Sequence, residues 1–146
     1  MAKLQVRIFT AEKIKFDEPA DMIIVRCVHE DMGKQSAVGD IGILPGHMTM
    51  SVLLSISPMR IKNEGTDRVL AIHGGIMTVK DNTVTLYTEL AQWPEEIDAQ
   101  KAKQEQESTQ AALQAAADDT ELRAASIGMR RALVQLEVSS YPLLRR

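Results

Sequence analysis

The chain has 146 residues, of which 45% are hydrophobic and 25% are charged, with 17 basic and 20 acidic side chains that give a formal net charge of −3. This length suits one domain with an appendage, and the slight acidity argues against a nucleic-acid-binding protein. Cys27 is the one cysteine, which excludes an internal disulfide framework and fits a reducing compartment, and no apolar run is long enough to cross a bilayer.

The first 90 residues have the pattern of short β-strands. Apolar runs of strand length recur at residues 4–9, 22–25, 60–62, 69–72, 76–79 and 83–87. The intervening segments 63–65, 73–75 and 81–82 have the Gly, Asn and Asp content of turns. Many short strands at this spacing predict an all-β sandwich or a small barrel.

From Pro94 onward the composition becomes that of helices. Pro and two acids suit a first helical turn, and residues 95–117 are rich in Ala, Gln, Glu and Lys without Gly or Pro, which predicts a helix. A break follows, with Asp118 or Asp119 as the N-cap of a second helix that Pro142 ends. Two helices with so short a connection pack as an antiparallel hairpin.

The expected architecture is therefore an N-terminal β-sandwich over residues 1–90, an α-helical hairpin over 94–140 and a C-terminal tail over 141–146. The first helix offers mainly alanine to a partner, so the seam of the hairpin buries little apolar area. We expect the hairpin to depend on the sandwich or on another chain, and to be a moving part.

Two other classes of protein are alternatives. Cys27 and His29 could present a thiolate and an imidazole to a metal, and His47 or His73 could act as a base opposite a suitable partner, as in a small metal-dependent enzyme on a β-barrel. No second close-spaced ligand pair completes such a site. An adaptor with a coiled-coil tail would need sustained heptads, which the Ala/Gln-rich helix does not supply.

Residues 39–47, Gly-Asp-Ile-Gly-Ile-Leu-Pro-Gly-His, form the most distinctive motif. They lack the Lys-Ser/Thr ending of a phosphate-binding loop, and their glycines and proline predict a tight loop between strands. The motif resembles the hallmark Gly-acid-x-Gly-Ile-Leu-Pro-Gly-His of the epsilon subunit of F-type ATP synthases. Gly-Gly-Ile-Met-Thr-Val at 74–79 and Ile-Asp-Ala-Gln-Lys-Ala at 97–102 resemble two further motifs of that family, so the similarity spans essentially the whole chain.

This resemblance implies a non-catalytic subunit of the central stalk, with no cofactor and no nucleic-acid partner. The sandwich would lie between the gamma subunit and the ring of c subunits, where rotation driven by ions crossing the membrane is passed to the catalytic head. The implied location is the cytoplasmic side of a bacterial membrane, reached only indirectly through the ring, with the plastid thylakoid as the alternative.

The resemblance also implies where the rotor-facing interface lies. The positions that match the family's interface with the c-ring and the gamma subunit are Asp40, Gly42 and His47. The segment 28–38 is longer than is usual in the family, and we expect it to form a distinctive foot against the ring, to which Met32 and Lys34 would contribute.

The hairpin of bacterial and plastid relatives is regulatory, and the resemblance implies the same role here. Folded down, the hairpin lies against the sandwich; extended, it rises along the gamma subunit and obstructs hydrolysis at the alpha/beta catalytic head. The basic residues of the second helix that could meet acidic residues of the head are Arg123, Arg130 and Arg131.

Some bacterial relatives hold ATP in the folded-down hairpin, through an Ile-Asp-x-x-Arg-Ala motif and arginines of the second helix. Ile97, Asp98 and Ala102 match this motif, and Arg131 falls where one such arginine is expected, but Lys101 replaces the motif arginine. Lysine lacks the planar fork with which arginine bonds bidentately. We therefore expect weak ATP binding or none, and no metal site.

Overall fold

The structure is a computed structural model that describes residues 2–31 and 34–144, with the side chains of residues 29–38 and 142–144 outside the description. Met32, one of the expected interface residues, therefore lies outside the described residues. The chain divides into two compact units, Met1–Ala91 and Gln92–Arg146.

The first unit consists of β-strands. They are β1 (Leu4–Phe9), β2 (Ile14–Ala20), β3 (Met22–Asp31), β4 (Lys34–Ile43), β5 (Met50–Asn63), β6 (Thr66–Lys80), β7 (Thr83–Tyr87) and β8 (Ala91–Gln92). Their order in the sheet is β2-β1-β7-β6-β5-β3-β4, with β8 paired to β6. The β1–β7 pair is parallel, whereas neighbours along the rest of this order are antiparallel. The predicted all-β sandwich is confirmed.

Asp21 connects the strand at one end of this order to the strand next to the other end. It follows β2, which pairs with β1, and precedes β3, which pairs with β4 and β5. The Asp21 amide donates to the Lys62 carbonyl at 2.8 Å, and its carboxylate accepts from the Glu64 amide at 2.7 Å and lies 3.4 Å from Lys3 Nζ. This one-residue connection lets the sheet fold over on itself, so that two layers enclose one core.

The core between these layers is aliphatic. Alternation along β1 buries Leu4, Val6 and Ile8 completely, as expected of a strand with one face in a core. Other large side chains that are fully buried are Ile23, Ile43, Leu70, Met77, Val79, Val84 and Leu86. Side chains of this kind pack to high density, and the aromatic residues, which are 3% of the chain, contribute Phe16 to the core.

Two of the three predicted turns are confirmed, and one is wrong. Residues 63–65 connect β5 to β6 and residues 81–82 connect β6 to β7, and both turns contain positive φ angles. Residues 73–75 instead lie inside β6, which runs without interruption from Thr66 to Lys80. Gly74 and Gly75, at φ 77° and 128°, redirect the strand without reversing it, because the ladder to β5 continues on both sides of them.

The prediction that residues 39–47 form a loop is also wrong for the first five of them. Residues 39–43 belong to β4, where Asp40 is opposite Arg26 and Gly42 is opposite Ile24. The β3–β4 register shifts at Gly39, whose φ is 110°. This glycine therefore lies at a β-bulge. Only the second half of the motif leaves the sheet.

The second unit contains two helices, α1 (Ala99–Ala115) and α2 (Asp119–Leu144). The prediction of a helix over 95–117 is wrong at its start, because Pro94–Glu96 forms a separate 3-10 turn and Ile97 is extended. The Trp93 amide donates to the Glu96 carboxylate at 2.9 Å, which closes that short turn on itself.

The second helix begins where expected but does not end there. The Asp118 carboxylate accepts from the Glu121 amide at 2.8 Å, so Asp118 is the N-cap among the two predicted candidates. The prediction that Pro142 ends α2 is wrong, because the helix continues to Leu144. A proline removes its own N–H donor and its ring crowds the carbonyl four residues earlier, but its φ suits a helix. Only two residues of α2 follow Pro142, so the disturbance is confined to the last turns of the helix.

Candidate partner interface

A row of apolar side chains crosses the outer face of the sandwich. Leu53 of β5 pairs with Ile76 of β6, and Ile76 pairs with Tyr87 of β7. Tyr87 in turn pairs with Phe9 of β1, which pairs with Ile14 of β2. Because paired residues on neighbouring strands project from the same face, these five form one line about 19 Å long at the usual strand spacing. We call them the apolar row.

Most of the apolar row is open to solvent. Ile14 is 54% exposed, Leu53 38%, Ile76 48% and Tyr87 57%. The rings of Phe9 and Tyr87 are stacked, with centroids 5.3 Å apart and planes at 16°. Single exposed apolar residues are ordinary, but a contiguous line of them marks a surface for another molecule.

A line of polar residues borders the apolar row on one side. Its members, paired in order across the same five strands, are Ser51, Thr78, Thr85, Arg7 and Asp17. The Arg7 guanidinium carbon lies 5.2 Å from the centre of the Phe9 ring, and Arg7 Nε lies 3.5 Å from the Asp17 carboxylate. An apolar centre with a polar rim is the usual anatomy of a protein interface.

A β-bulge in β2 determines which residue of that strand joins the apolar row. Ile8 pairs with Phe16, and both are buried, whereas the next residue, Phe9, pairs with Ile14 rather than with position 15. The extra residue in β2 shifts the register by one, so Ile14 turns to the outer face beside Phe9. Without the bulge, Phe9 would have no apolar neighbour on β2.

Gly75 allows the close approach of β6 and β7 at the middle of the apolar row. A Cβ at this position would lie 2.1 Å from the Tyr87 carbonyl oxygen, and the φ of Gly75 is 128°. Only glycine permits this approach of backbone to backbone. The contact holds Ile76, the next residue, in register with Tyr87.

The apolar row was not predicted from the sequence. Within one strand, the sequence indicates such a surface only by an apolar residue on the outward side. Examples are Phe9 directly after Ile8 and Ile76 directly before Met77. Such a signal in one strand is weak. Only the register shows that five strands place these residues side by side.

The predicted rotor-facing residues lie on β4 and the loop after it. Asp40 and Gly42 are two residues apart and exposed, so they share one face of the strand. Arg26 Nε donates to Asp40 Oδ1 at 2.9 Å across the β3–β4 pair. A Cβ on Gly42 would lie 2.6 Å from Met22 Cε. Lys34 is opposite Asp31 in the β3–β4 ladder, and its side chain lies outside the described residues.

His47 lies on the loop between β4 and β5. Its Nδ1 is 2.8 Å from the Met48 carbonyl, and the Gly46 amide donates to Asn82 Oδ1 at 2.7 Å, which ties the loop to the β6–β7 turn. Leu44 and Met48 are 55% and 74% exposed on either side of His47. The loop therefore presents two large apolar side chains that sequence analysis had not selected.

The residues proposed to contact ATP divide between the start of α1 and the middle of α2. The Asp98 carboxylate accepts from the Lys101 amide at 3.1 Å and is the N-cap of α1. Ala102 is buried, Lys101 is exposed and Ile97 is half-buried. Asp98 thus stabilises the start of α1 as its N-cap, and its negative charge interacts favourably with the helix dipole there.

The three arginines proposed to meet the catalytic head occupy one side of α2. Arg123 and Arg130 are seven residues apart, which places them on the same helical face, and both are exposed. Arg131 is adjacent to that face and half-buried.

The residues that could have supported a metal-dependent enzyme do not converge. Within residues 2–31 and 34–144, no group of three or more His, Cys, Asp or Glu side chains could hold a metal ion. Burial, together with the charge of Asp40, raises the pKa of the Cys27 thiol, the opposite of what a reactive thiol needs. His73 is buried inside β6, and the His29 side chain lies outside the described part.

Among the described residues, no helix combines the length and apolar character needed to span a membrane.

Comparison with known proteins gives the family. A family model for the β-sandwich domain of the ATP synthase delta/epsilon chain matches residues 3–94. The ATP synthase epsilon chain of Caldicellulosiruptor saccharolyticus is 32% identical over 138 residues, which cover 94% of both chains. The chain belongs to the ATP synthase epsilon chain family. A second family member, from Caldicellulosiruptor bescii, is 30% identical over 139 residues, 95% of each chain.

Solved structures show that this epsilon-family chain shares its fold with distant relatives. A chain in a cryo-EM structure of the Euglena gracilis mitochondrial ATP synthase matches with a TM-score of 0.77 at 24% identity, covering 94% of this chain and 81% of that one. A chain in the central stalk and c-ring structure of the Tetrahymena thermophila mitochondrial ATP synthase matches with a TM-score of 0.57 at 13% identity, covering 94% and 97%.

Proposed function

We propose that this epsilon-family chain is a non-catalytic subunit of the central stalk, which helps to couple ion flow across the membrane to ATP synthesis. The observation that carries the proposal is the apolar row on the outer face of the sandwich. A row of this kind, on a rigid layer of paired strands, suits a permanent partner chain better than a small substrate. The gamma subunit is the partner that the family suggests for it.

Rigidity and contact area are what torque transmission requires of a stalk subunit. Obligate interfaces are large and apolar. Ile76 and Tyr87 lie on strands paired on both sides, so a force applied to them is borne by the backbone ladders of β6 and β7. An exposed loop would yield to the same force.

A second contact, with the c-ring, is assigned to β4 and its loop. Asp40, Gly42 and His47 would form it together with the exposed Leu44 and Met48. The ladder of the β3–β4 hairpin continues to the pair Asp31–Lys34, which supports a paired foot over residues 28–38 rather than a loose loop. Met32 and Lys34 are included in the proposed contact because they lie within residues 28–38 of the sequence. Contact with the ring would keep the chain at the cytoplasmic surface of a bacterial membrane.

The hairpin is assigned the regulation of ATP hydrolysis. Within α1, whose residues are all described, Ala102 is the buried one, so α1 can separate from its neighbours at modest cost. Arg123 and Arg130, both exposed, would then meet acidic residues of the alpha/beta head, with Arg131 beside them. In this proposal, the contact of these arginines with the head is what inhibits ATP hydrolysis when the hairpin is extended.

Binding to the purified gamma subunit tests the stalk role. We expect the double variant Ile76→Ser/Tyr87→Ser to raise the Kd by at least about tenfold, because truncation of central apolar anchors costs more than 1 kcal/mol. Leu90→Ser, which removes an apolar residue that is 40% exposed and lies outside both the apolar row and the hairpin, is the matched control and should bind normally. A wild-type chain that fails to bind gamma, or that hydrolyses ATP by itself, would refute the proposed function.

Isothermal titration of ATP into the full chain tests the expectation of weak binding. Asp98 is occupied as the N-cap, and Lys101 lacks the arginine fork, so we expect no binding at micromolar concentrations. Lys101→Arg should increase the affinity, since a charged hydrogen bond contributes about 1.5–3 kcal/mol. Lys103→Arg, on the exposed side of α1, is the control. Micromolar affinity in the wild type would contradict the expectation.

A further inference from the structure

A glycine of one helix of the hairpin lies against the other helix. Gly128 lies inside α2, where glycine lowers helix stability relative to alanine. A Cβ added to Gly128 would lie 2.8 Å from the Cγ2 methyl of Thr109 on α1. The Thr109 hydroxyl also lies 3.9 Å from the sulfur of Met129, so three neighbouring groups meet at this point.

The Thr109 methyl cannot turn aside to admit a larger residue. The Thr109 hydroxyl donates within its own helix, 2.8 Å from the Glu105 carbonyl and 3.1 Å from the Gln106 carbonyl. These bonds select one side-chain rotamer, because a β-branched residue has few alternatives in a helix. The methyl group is thereby fixed against Gly128.

We propose that Thr109 and Gly128 form a pairing lock, which sets how closely α1 packs on α2 and so how readily α1 separates. The remaining contacts of α1 are poor in apolar area, since Ala102 is its buried residue. A single close contact can therefore dominate the pairing equilibrium. The lock also fixes the register of the hairpin, because glycine meets threonine at one position only.

Hydrogen exchange of the full chain tests the lock. Gly128→Ala should speed amide exchange over residues 103–115 by about tenfold, which is within the range expected for overpacking a contact. The same substitution should slow exchange within α2, because alanine favours the helix. Amides of β6 and β7 serve as the internal control and should not change.

The double variant Gly128→Ala/Thr109→Ser provides the decisive comparison. Serine keeps the hydroxyl and removes only the methyl that the new Cβ would meet, so exchange in α1 should return to the wild-type rate. If Gly128→Ala slows exchange in both helices, its effect is helix propensity alone and the lock is refuted. A double variant that exchanges as fast as Gly128→Ala would also refute it.

The consequence for regulation rests on the proposed function of the hairpin. If α1 must leave α2 for the hairpin to extend, Gly128→Ala should increase inhibition of ATP hydrolysis in the assembled synthase, and the double variant should reverse the increase. A change in exchange without a change in hydrolysis would refute the regulatory role and leave the lock standing. The two failures are therefore distinguishable.

Discussion

The two units of the chain are stabilised by different classes of side chain. The sandwich encloses large aliphatic residues such as Ile8, Leu70 and Leu86, which have no exposed surface. Within residues 92–141, the buried side chains of the helical unit are small: Ala102, Ala125, Ala132, Val134 and Val138. Full burial of a leucine contributes about 1.5–3 kcal/mol, and alanine buries far less area. The difference separates a rigid scaffold from an element whose alternative states lie close in free energy.

Backbone hydrogen bonding strengthens this contrast. The strands of the sandwich depend on one another for their hydrogen bonds, so no strand can leave without exposing donors and acceptors in its neighbours. Each helix bonds its own backbone, so α1 can leave α2 without breaking the backbone hydrogen bonds of α2. Once separated, α1 is a helix of 17 residues without tertiary support and is only marginally stable. Three predictions test how far the two units differ.

The largest effect is expected from a cavity in the sandwich. Leu70→Ala should lower the free energy of unfolding by about 2–5 kcal/mol, because the neighbours of a fully buried leucine cannot collapse into the space. Leu133→Ala in the hairpin, where the side chain is 45% exposed, should change it by less than about 0.5 kcal/mol. Urea unfolding of the full chain measures both, and equal losses would remove the distinction between the units.

A smaller effect is expected at the backbone contact beneath the apolar row. Gly75→Ala should destabilise the sandwich by about 2–4 kcal/mol, because the methyl would collide with the Tyr87 carbonyl and the φ of 128° is strained for alanine. Gly65→Ala is the matched control, since its φ is also positive, at 79°, but nothing lies within 4 Å of its Cβ position. In thermal unfolding, the control should lose about 1 kcal/mol of the free energy of unfolding. Equal losses in the two variants would contradict a steric role for Gly75.

The smallest effect concerns pH. A hydrogen bond from the Glu64 amide, assisted by the charge of Lys3, holds the pKa of Asp21 below its ordinary value. A carboxyl with a lowered folded pKa stabilises the fold above its unfolded pKa, about 3.9, and loses this contribution as pH falls through the folded value. Unfolding midpoints measured between about pH 3 and 5 should therefore fall less steeply in Asp21→Asn than in the wild type. Parallel profiles would show that folding does not lower the pKa of Asp21.

Much of the fold could be predicted from local sequence, and the errors have physical causes. Alternation in β1 and the glycine-containing turn at 63–65 were sufficient for the strands, and the composition after Pro94 was sufficient for helices. Gly74 and Gly75 were misinterpreted as a turn, because glycine permits a bend in a strand as readily as a reversal. Whether the chain reverses is decided by pairing with β5, which is not local.

The candidate interface was less predictable than the fold. Asp40 and His47 were selected by resemblance, and they lie on β4 and on the loop that follows it. The apolar row depends on a bulge beside Ile14 and on a parallel pair between the first and seventh strands. Neither feature leaves a mark in the local sequence, so no pattern within one strand could have placed Phe9 against Tyr87.

That parallel pair has a consequence for the order of synthesis. Gln5 pairs with Thr83 and Phe9 with Tyr87, so β1, which pairs early with β2, finds its second neighbour, β7, only after nearly ninety residues have been made. Contacts so distant in sequence form late, because the loop between them must close first. A chain still on the ribosome can build the β3–β4 and β5–β6 hairpins, but it cannot complete the row that a partner would recognise. We therefore expect a growing chain that lacks β7 not to bind the proposed partner, so that assembly waits until the sandwich is complete.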